Sequence, residues 1–314
     1  MLGRIVVSIL AASGVAAFGA DKSSAGVPVQ VVVTVAHHAI GAPQTITRSD
    51  LSVVEGVEPL PITNFVPLSG KSAELELYVL VDECSNCEFG PKFGELKNFI
   101  KSQPDSTAVG IAYIRDGCLK IVEKPTTDRA RAIEALSLPA GGKPVNPFAA
   151  LADLIGDWPS SSARKAVLMV ANGIDAAMTS QLHDATAEKA LEAAQRSGVI
   201  VYAIYHPSAD YLSSDFSQIH SGQVHLAHVA YESGGEAYFL SPAPLPSLAP
   251  FLTDITDHLA NQYLVEFQIK PGESSGLRQI AVKTSFPDME LMSADRVWVP
   301  GIEKVEPAGK RREK

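Results

Sequence analysis

Apolar residues along this chain follow two different periods, and the changes of period divide the sequence into three parts. Positions 28–72 carry short β-branched runs separated by Gly and Pro, which is typical of strands joined by turns. Positions 74–261 alternate short apolar runs with segments of helical period, and the strand pattern returns after Gln262. The predicted strands are 28–35, 51–55, 62–65, 74–81, 108–114, 118–123, 166–171, 199–205, 237–240, 263–269, 278–284 and 297–299, with a further short strand at Ile46. The predicted helices are 93–102, 129–136, 148–155, 185–197, 224–232 and 248–261.

Strands that alternate with helices predict an α/β fold, namely a doubly wound, mostly parallel sheet with helices on both faces. One pair departs from this rule, because Asp116-Gly117 joins the strands 108–114 and 118–123 as a hairpin. The strand-rich ends are too small to hold separate cores. We therefore expect them to pack together as one accessory β-sheet or sandwich, with the α/β domain inserted between them. The predicted parts are a signal peptide 1–20, an N-terminal β segment 21–72, an α/β domain 73–261, a C-terminal β segment 262–302 and a basic flexible tail 303–314.

The composition and the first residues indicate an exported protein that does not bind nucleic acid. The formal charge of −9 disfavours a general nucleic-acid binder, which needs clustered Lys and Arg. Arg4 precedes an apolar stretch, and Ala/Gly-rich sequence then runs to Ala20, which predicts a signal peptide cleaved between Ala17 and Ala20. A membrane anchor is disfavoured because the stretch is short and contains Ser8. No membrane span is expected after cleavage.

The clearest candidate site follows the apolar run Leu77–Val81, which stops at Asp82 and continues into small polar residues. This pattern predicts a buried strand that ends in a loop. In a doubly wound sheet, ligands bind at the carboxyl ends of the strands. The Asp82 loop is therefore expected to lie at the functional edge.

Five short motifs occur in one order along nearly the whole mature chain. They are Leu51-Ser52-Val53-Val54-Glu55, the set Asp82, Cys84 and Asn86, the pair Asn172-Gly173, Gly234-Gly235-Glu236-Ala237-Tyr238, and Gln262-Tyr263-Leu264. In this order the chain resembles von Willebrand factor type A (vWA) domains, and more narrowly the bacterial secreted vWA-related proteins. The resemblance implies a Rossmann-like vWA sheet, a secreted or periplasmic location, and a protein or cell-surface ligand.

The resemblance also implies a metal-ion-dependent adhesion site, and this sequence departs from it at most positions. The family binds Mg²⁺ through Asp-x-Ser-x-Ser, a threonine and a second aspartate, which matches the preference of hard cations for oxygen donors. Asp82 matches, whereas the two serine positions hold Cys84 and Asn86, and the threonine position falls at Val145. The second aspartate is replaced by Asn172. Since sulfur and valine suit Mg²⁺ poorly, we expect a degenerate site without tight metal binding, and no other cofactor.

The cysteines carry a separate hypothesis. Cys84 and Cys87 form a Cys-x-x-Cys pair after a strand, which resembles a redox motif. Glu83 and Glu88 oppose a thiolate there, and Pro91 is expected to delay the next helix, so a structural disulfide is favoured. The resemblance places Cys118 at the same sheet edge, so that Cys118 is a third candidate for pairing, and the sequence does not choose between the pairings.

Histidines near the fifth strand of the α/β domain offer one further alternative. His225 and His228 share a helical face and could hold zinc with Asp210 or Asp215. The spacing is non-specific, and surface histidines, with His206 and His220 among them, are the favoured interpretation.

Together these observations favour a non-enzymatic protein-interaction or adhesion module. The expected partner-binding residues on the top face of the sheet are Asp82, Ser85, Asn86, Asn172 and Asp175. The alternatives are a thiol-active exported protein that uses Cys84 and Cys87, and a genuine Mg²⁺-dependent adhesion module.

Overall fold

A six-stranded sheet lies at the centre of the protein in a computed structural model, which describes residues 26–36, 45–83, 90–115, 118–137, 146–174, 185–207, 216–238 and 247–301. The strands are β1 Val27–Ala36, β2 Leu51–Glu55, β3 Glu58–Leu60, β4 Ile62–Pro67, β5 Leu75–Asp82, β6 Thr107–Arg115, β7 Cys118–Thr126, β8 Arg164–Ala171, β9 Val199–Tyr205, β10 Ala237–Tyr238, β11 Gln262–Ile269, β12 Gly276–Gln279, β13 Ala281–Thr284, β14 Glu290–Ser293 and β15 Arg296–Val299. The helices are α1 Gly90–Ser102, α2 Arg129–Ala135, α3 Pro147–Gly156, α4 Ala185–Ser197, α5 Phe216–Glu232 and α6 Ala249–Ala260.

The central sheet has the strand order β10-β9-β8-β5-β6-β7. All neighbours pair in parallel except β6 and β7, which form the predicted antiparallel hairpin. Numbered within the sheet, this order is 3-2-1-4-5-6, the order of a doubly wound fold. The inner strands β5, β8 and β9 are nearly continuous apolar runs, because helices cover both of their faces.

Two apolar cores fill the space between the sheet and its helices. Side chains of α1, α2 and α6 pack on one face, and side chains of α3, α4 and α5 pack on the other. Phe148 of α3 is fully buried, and burial of a side chain of this size contributes about 2–3 kcal/mol of stability. The predicted α/β class with helices on both faces is confirmed.

The two strand-rich ends of the chain meet in an accessory β structure, as expected. Strand β1 pairs with β11 from Val27↔Ile269 to Thr34↔Gln262, within a four-stranded sheet of order β14-β1-β11-β4. Two smaller sheets, β13-β2-β3 and β12-β15, flank it. A third apolar core contains residues of both the N-terminal and C-terminal segments. The exact domain boundaries stay predictions.

The structure differs from the sequence predictions in several details. The predicted strand 278–284 breaks at Ile280 into β12 and β13, which join different sheets. Strand β14 was missed, and Ile46 is buried outside any strand. Helix α5 begins at Phe216 instead of position 224. Helix α1 begins at Gly90, so Pro91 does not delay it, since the first helical turn needs no N–H from proline.

The part of the chain described above contains no helix that is both long and apolar enough to cross a membrane. The predicted signal peptide and the basic tail lie outside the described residues.

Candidate functional site

Three polar side chains come together at the carboxyl edge of the central sheet. Asp82 ends β5, Asn172 follows β8 directly, and His206 follows β9 directly. The strands are in register there, since Val81 pairs with Val170 and Ala171 with Tyr205. The edge predicted from the Asp82 loop is therefore the edge at which these residues meet.

Asp82 and Asn172 are both inaccessible to solvent, at 0% and 1% exposure. The side-chain carbonyl of Asn172 accepts a hydrogen bond of 2.8 Å from the backbone N–H of Ile174, which is the local turn that Asn commonly makes. The other predicted partner-binding residues, Ser85, Asn86 and Asp175, lie outside the described residues, as do Cys84 and Val145.

Close backbone packing fixes the loop that carries Asn172. Gly173 adopts φ +69°, and a Cβ there would lie 2.2 Å from the carbonyl oxygen of Gly222 in α5. A Cβ on Gly222 would in turn lie 2.7 Å from the backbone oxygen of Asn172. Only glycine at both positions permits this approach.

A buried lysine lies at the same edge, and the sequence analysis did not identify it. Lys92 of α1 and His206 are each 2% exposed, and Nζ of Lys92 lies 3.3 Å from Nε2 of His206. The backbone N–H of His206 donates to the carbonyl of Ala171, at 2.9 Å, which fixes the backbone of His206 beside the end of β8. Lys92 thus places an ammonium group at the carboxyl ends of β8 and β9.

The protonation state of His206 follows from these contacts. Burial and the charge of Lys92 lower the pKa of His206 to about 4, although the carbonyl of Pro207 opposes this shift. At neutral pH the ring is uncharged. Its Nδ1–H then donates to Pro207, at 3.0 Å, and its Nε2 accepts from the lysine.

Of the ligand positions that the vWA resemblance implies, the structure describes Asp82 and Asn172. The oxygen of Asn172 already accepts from Ile174, and the amide carries no charge. The buried ammonium of Lys92 lies at the same sheet edge as the buried carboxylate of Asp82, so this edge contains a positive charge of its own. Cys84 and Val145 remain unsuitable by residue type.

The charge of Glu83 is balanced within the protein. Glu83 is 1% exposed, and both of its carboxylate oxygens accept from the guanidinium of Arg115, one of them from Nε at 2.6 Å. The pairing with Arg115 reduces the contribution of Glu83 to the expected opposition to a thiolate, and Glu88, the other residue in that expectation, lies outside the described residues.

Cys118 lies where the resemblance placed it. Arg115 pairs with Cys118 across the hairpin, and Asp82 pairs with Ile114 in the next strand, so all four residues lie at one end of the sheet. The thiol of Cys118 is exposed and free. Cys84 and Cys87 lie outside the described residues, and the disulfide stays a prediction.

Both histidines of the candidate zinc pair on α5 have other contacts, and the further candidates Asp210 and Asp215 lie outside the described residues. His225 is buried, with its ring edge-on to Phe148. His228 contacts Glu188 through Nε2 at 2.7 Å and Glu232 through Nδ1 at 3.1 Å. The interpretation of surface histidines is correct for His220 but wrong for His206 and His225, which are buried.

A signal for Lys92 was present in the sequence. Lys92, Leu96 and Phe99 share one helical face, and all three are buried. A lysine on the apolar face of a helix indicates a buried charge with a specific partner. The same reasoning applies to His258, which follows Ile255 by one turn on the apolar face of α6.

Comparisons with known proteins concern the fold. No protein-family model and no curated protein matches this chain. Among solved structures, a von Willebrand factor type A structure from Catenulispora acidiphila is similar, with 13% identity over 90% of this chain and 76% of that chain and a TM-score of 0.40. The vWF domain of the type V pili tip protein Mfa5 from Porphyromonas gingivalis has 10% identity over 58% of this chain and 94% of that chain, with a TM-score of 0.45. An aerotolerance-related membrane protein from Bacteroides fragilis has 14% identity over 59% of this chain and 98% of that chain, with a TM-score of 0.43.

The class of protein rests on the topology of the chain itself. The doubly wound strand order, the antiparallel β6–β7 hairpin at the edge and the helices on both faces define a doubly wound α/β domain, which is the fold that the vWA resemblance implies. Accessory sheets built from both ends of the chain accompany it. The fold expected from the resemblance is confirmed.

Proposed function

We propose that this chain is an exported, non-enzymatic interaction module that binds a protein or cell-surface ligand at the carboxyl edge of its central sheet, without a bound cation at that edge. The signal-peptide pattern at positions 1–20 supports export. The edge is the ligand-binding edge of doubly wound sheets in general.

The observation that carries the proposal is the buried contact between Lys92 and His206. In a metal-dependent site, a divalent cation supplies positive charge to an acidic group of the partner. Here the protein supplies a fixed ammonium group at the same sheet edge. In this proposal the side chains of the protein, and not a bound cation, provide the positive charge at the edge.

Under this proposal the buried polar residues at the edge hold the loops in place and do not contact the ligand themselves. Asp82 and Asn172 are buried, so they shape the loops, and direct contact falls to Ser85, Asn86 and Asp175, whose sequence positions follow the same two strands. Hydrogen bonds in which the hydroxyl and amide groups donate or accept and the carboxylate accepts then replace coordination to a metal.

The test is capture of a partner from an envelope fraction in the presence of Mg²⁺ and in the presence of EDTA. We expect equal capture under both conditions, and reduced capture by a triple variant Ser85→Ala, Asn86→Ala and Asp175→Ala. Val57→Ser is the matched surface control, because Val57 is 99% exposed on the accessory sheet. Loss of capture in EDTA, or full capture by the triple variant, would contradict the proposal.

A thiol-active protein is the second candidate, and two structural observations favour it. The charge of Glu83 is neutralised by Arg115, and α1 begins at Gly90, three residues after Cys87. A helix N-terminus that follows a Cys-x-x-Cys pair stabilises a thiolate. A pKa of Cys84 well below 8.5 together with insulin reduction would support this candidate, and an ordinary thiol pKa without reduction would exclude it.

A further inference from the structure

A second group of chemically active side chains lies on a different part of the domain. Glu236 precedes β10, the short strand at one edge of the central sheet, and Asp254 and His258 lie one turn apart on α6. The backbone carbonyl of Glu236 accepts from Ala203 of β9, at 2.9 Å. This contact places Glu236 beside β9, at the edge of the sheet that lies three strands from β5.

The three side chains face one another. Nδ1 of His258 lies 3.7 Å from Oε2 of Glu236, and its Nε2 lies 3.9 Å from Oδ2 of Asp254. One donor atom of each residue lies within 4.8 Å of a donor atom of each of the others. The imidazole is nearly buried at 5% exposure, whereas the carboxylates are 23% and 44% exposed, so the group opens to solvent on its acidic side.

Neighbouring aromatic residues orient two of the donors. The hydroxyl of Tyr238 donates to Oδ2 of Asp254, at 2.7 Å, which leaves the other carboxylate oxygen outside this hydrogen bond. Tyr202 stacks on the ring of His258 with 6.2 Å between the centroids. Fixed orientation by such outer contacts is characteristic of metal ligands.

We propose that Glu236, Asp254 and His258 form a binding site for a single Zn²⁺ ion. One imidazole nitrogen and two carboxylate oxygens are a donor set that Zn²⁺ accepts, with the fourth position open to water. The two carboxylates carry two negative charges, which one divalent cation balances. Among the residues that the structure describes, no other three such donors have ligand atoms that all lie within 4.8 Å of one another.

Binding requires a small closure of the site. Ligand atoms of a tetrahedral zinc ion lie about 3.3 Å apart, given bond lengths of about 2.0–2.1 Å. The ion binds one ring nitrogen, so the carboxylate that faces the other nitrogen must turn towards it. Glu236 and Asp254 are both partly exposed and therefore have room to move.

The test is calorimetric titration of the full chain with ZnCl₂ after removal of bound metal by EDTA and dialysis. We expect one saturable site and a rise in the thermal midpoint with added zinc. Glu236→Gln and Asp254→Asn should each weaken binding by at least about tenfold, and Tyr238→Phe should weaken it less. Asp257→Asn is the matched control, because Asp257 is exposed on the same helix.

Cobalt substitution separates this site from the cysteines. A Co²⁺ complex of nitrogen and oxygen donors lacks the thiolate-to-cobalt charge-transfer band that cysteine ligands produce. We expect the cobalt spectrum without this band. The absence of saturable zinc binding, a thiolate band, or undiminished affinity in both Glu236→Gln and Asp254→Asn would overturn the proposal.

Discussion

The ammonium nitrogen of Lys92 lies 3.3 Å from Nε2 of His206 in the buried carboxyl edge of the sheet. Burial of a charge raises the free energy of the folded state unless other groups stabilise the charge. The contact with His206 therefore contributes to keeping Lys92 charged in this buried position. It also means that the ring of His206 must remain neutral in order to accept from the lysine. The edge combines a fixed positive charge with an imidazole that resists protonation.

Stability should therefore fall as the pH is lowered through the range between about 6.5 and about 4. The pKa of His206 is depressed to about 4 in the folded protein, whereas an unfolded histidine titrates near 6.5. The contribution is fully present above about 6.5, because neither state is protonated there, and it is lost as the unfolded state takes up a proton. The expected loss is about 2–3 kcal/mol.

Urea unfolding of the wild type and His206→Gln between pH 7 and pH 4 measures this contribution. The variant should show a shallower loss of unfolding free energy with falling pH. His220→Gln is the control, since His220 is exposed on α5. If the unfolding free energy of the wild type and of His206→Gln changed equally with pH, the pKa of His206 would not be depressed in the folded protein.

Removal of only one partner of the ion pair between Glu83 and Arg115 should strongly destabilise the protein. Arg115→Met leaves the carboxylate of Glu83, which is 1% exposed, without its bidentate partner, and we expect a loss of about 3 kcal/mol in unfolding free energy at pH 7. The double variant with Glu83→Gln should recover part of the loss. Arg131→Met removes an exposed pair with Glu123 and should cost less than about 1 kcal/mol. Equal effects of the two arginine variants would contradict the buried pairing.

Gly222 should not tolerate a side chain. Gly222→Ala places a Cβ 2.7 Å from the backbone oxygen of Asn172, and we expect a loss of about 1–3 kcal/mol from the forced displacement. Gly94→Ala on α1 meets no atom within 4 Å and should stabilise the protein by up to about 1 kcal/mol. Chemical denaturation of both variants checks the contrast, and a neutral Gly222→Ala would show that the loop can move away.

Cys118 should react with an alkylating reagent in the absence of a reductant, because its thiol is exposed and free. Any disulfide would then join Cys84 to Cys87. Peptide mapping under non-reducing conditions distinguishes the pairings. Protection of Cys118 until a reductant is added would instead place Cys118 in the bridge, and three free thiols would remove the disulfide altogether.

The sequence was most informative where local chemistry determines the structure. Helix α4 and strand β9 were placed to the residue, because the Ala-rich helix ends at Gly198, whose φ of +65° few other residues adopt. Helix α2 was placed with the correct first residue, because Asp128 precedes it and its carboxylate accepts from the backbone N–H groups of Ala130 and Arg131. These features depend on a few neighbouring residues.

Features that depend on distant contacts could not be predicted in the same way. The break at Ile280 arises because β12 and β13 pair with different strands, and alternation along one strand does not reveal its partner. Lys92 and His206 are 114 positions apart, and His258 meets Glu236 only through the packing of α6 beside β10. Buried polar residues on apolar helix faces were the one local signal for both groups.

Calorimetric titration of the full chain with Mg²⁺ shows directly whether the carboxyl edge of the sheet binds a cation, whereas the proposed function requires ligand binding there without one. The contact between Lys92 and His206 predicts no saturable Mg²⁺ binding in the wild type, and the same baseline heat in Asp82→Asn. One equivalent of saturable Mg²⁺ binding that Asp82→Asn abolishes would contradict the account and would restore a metal-dependent adhesion site.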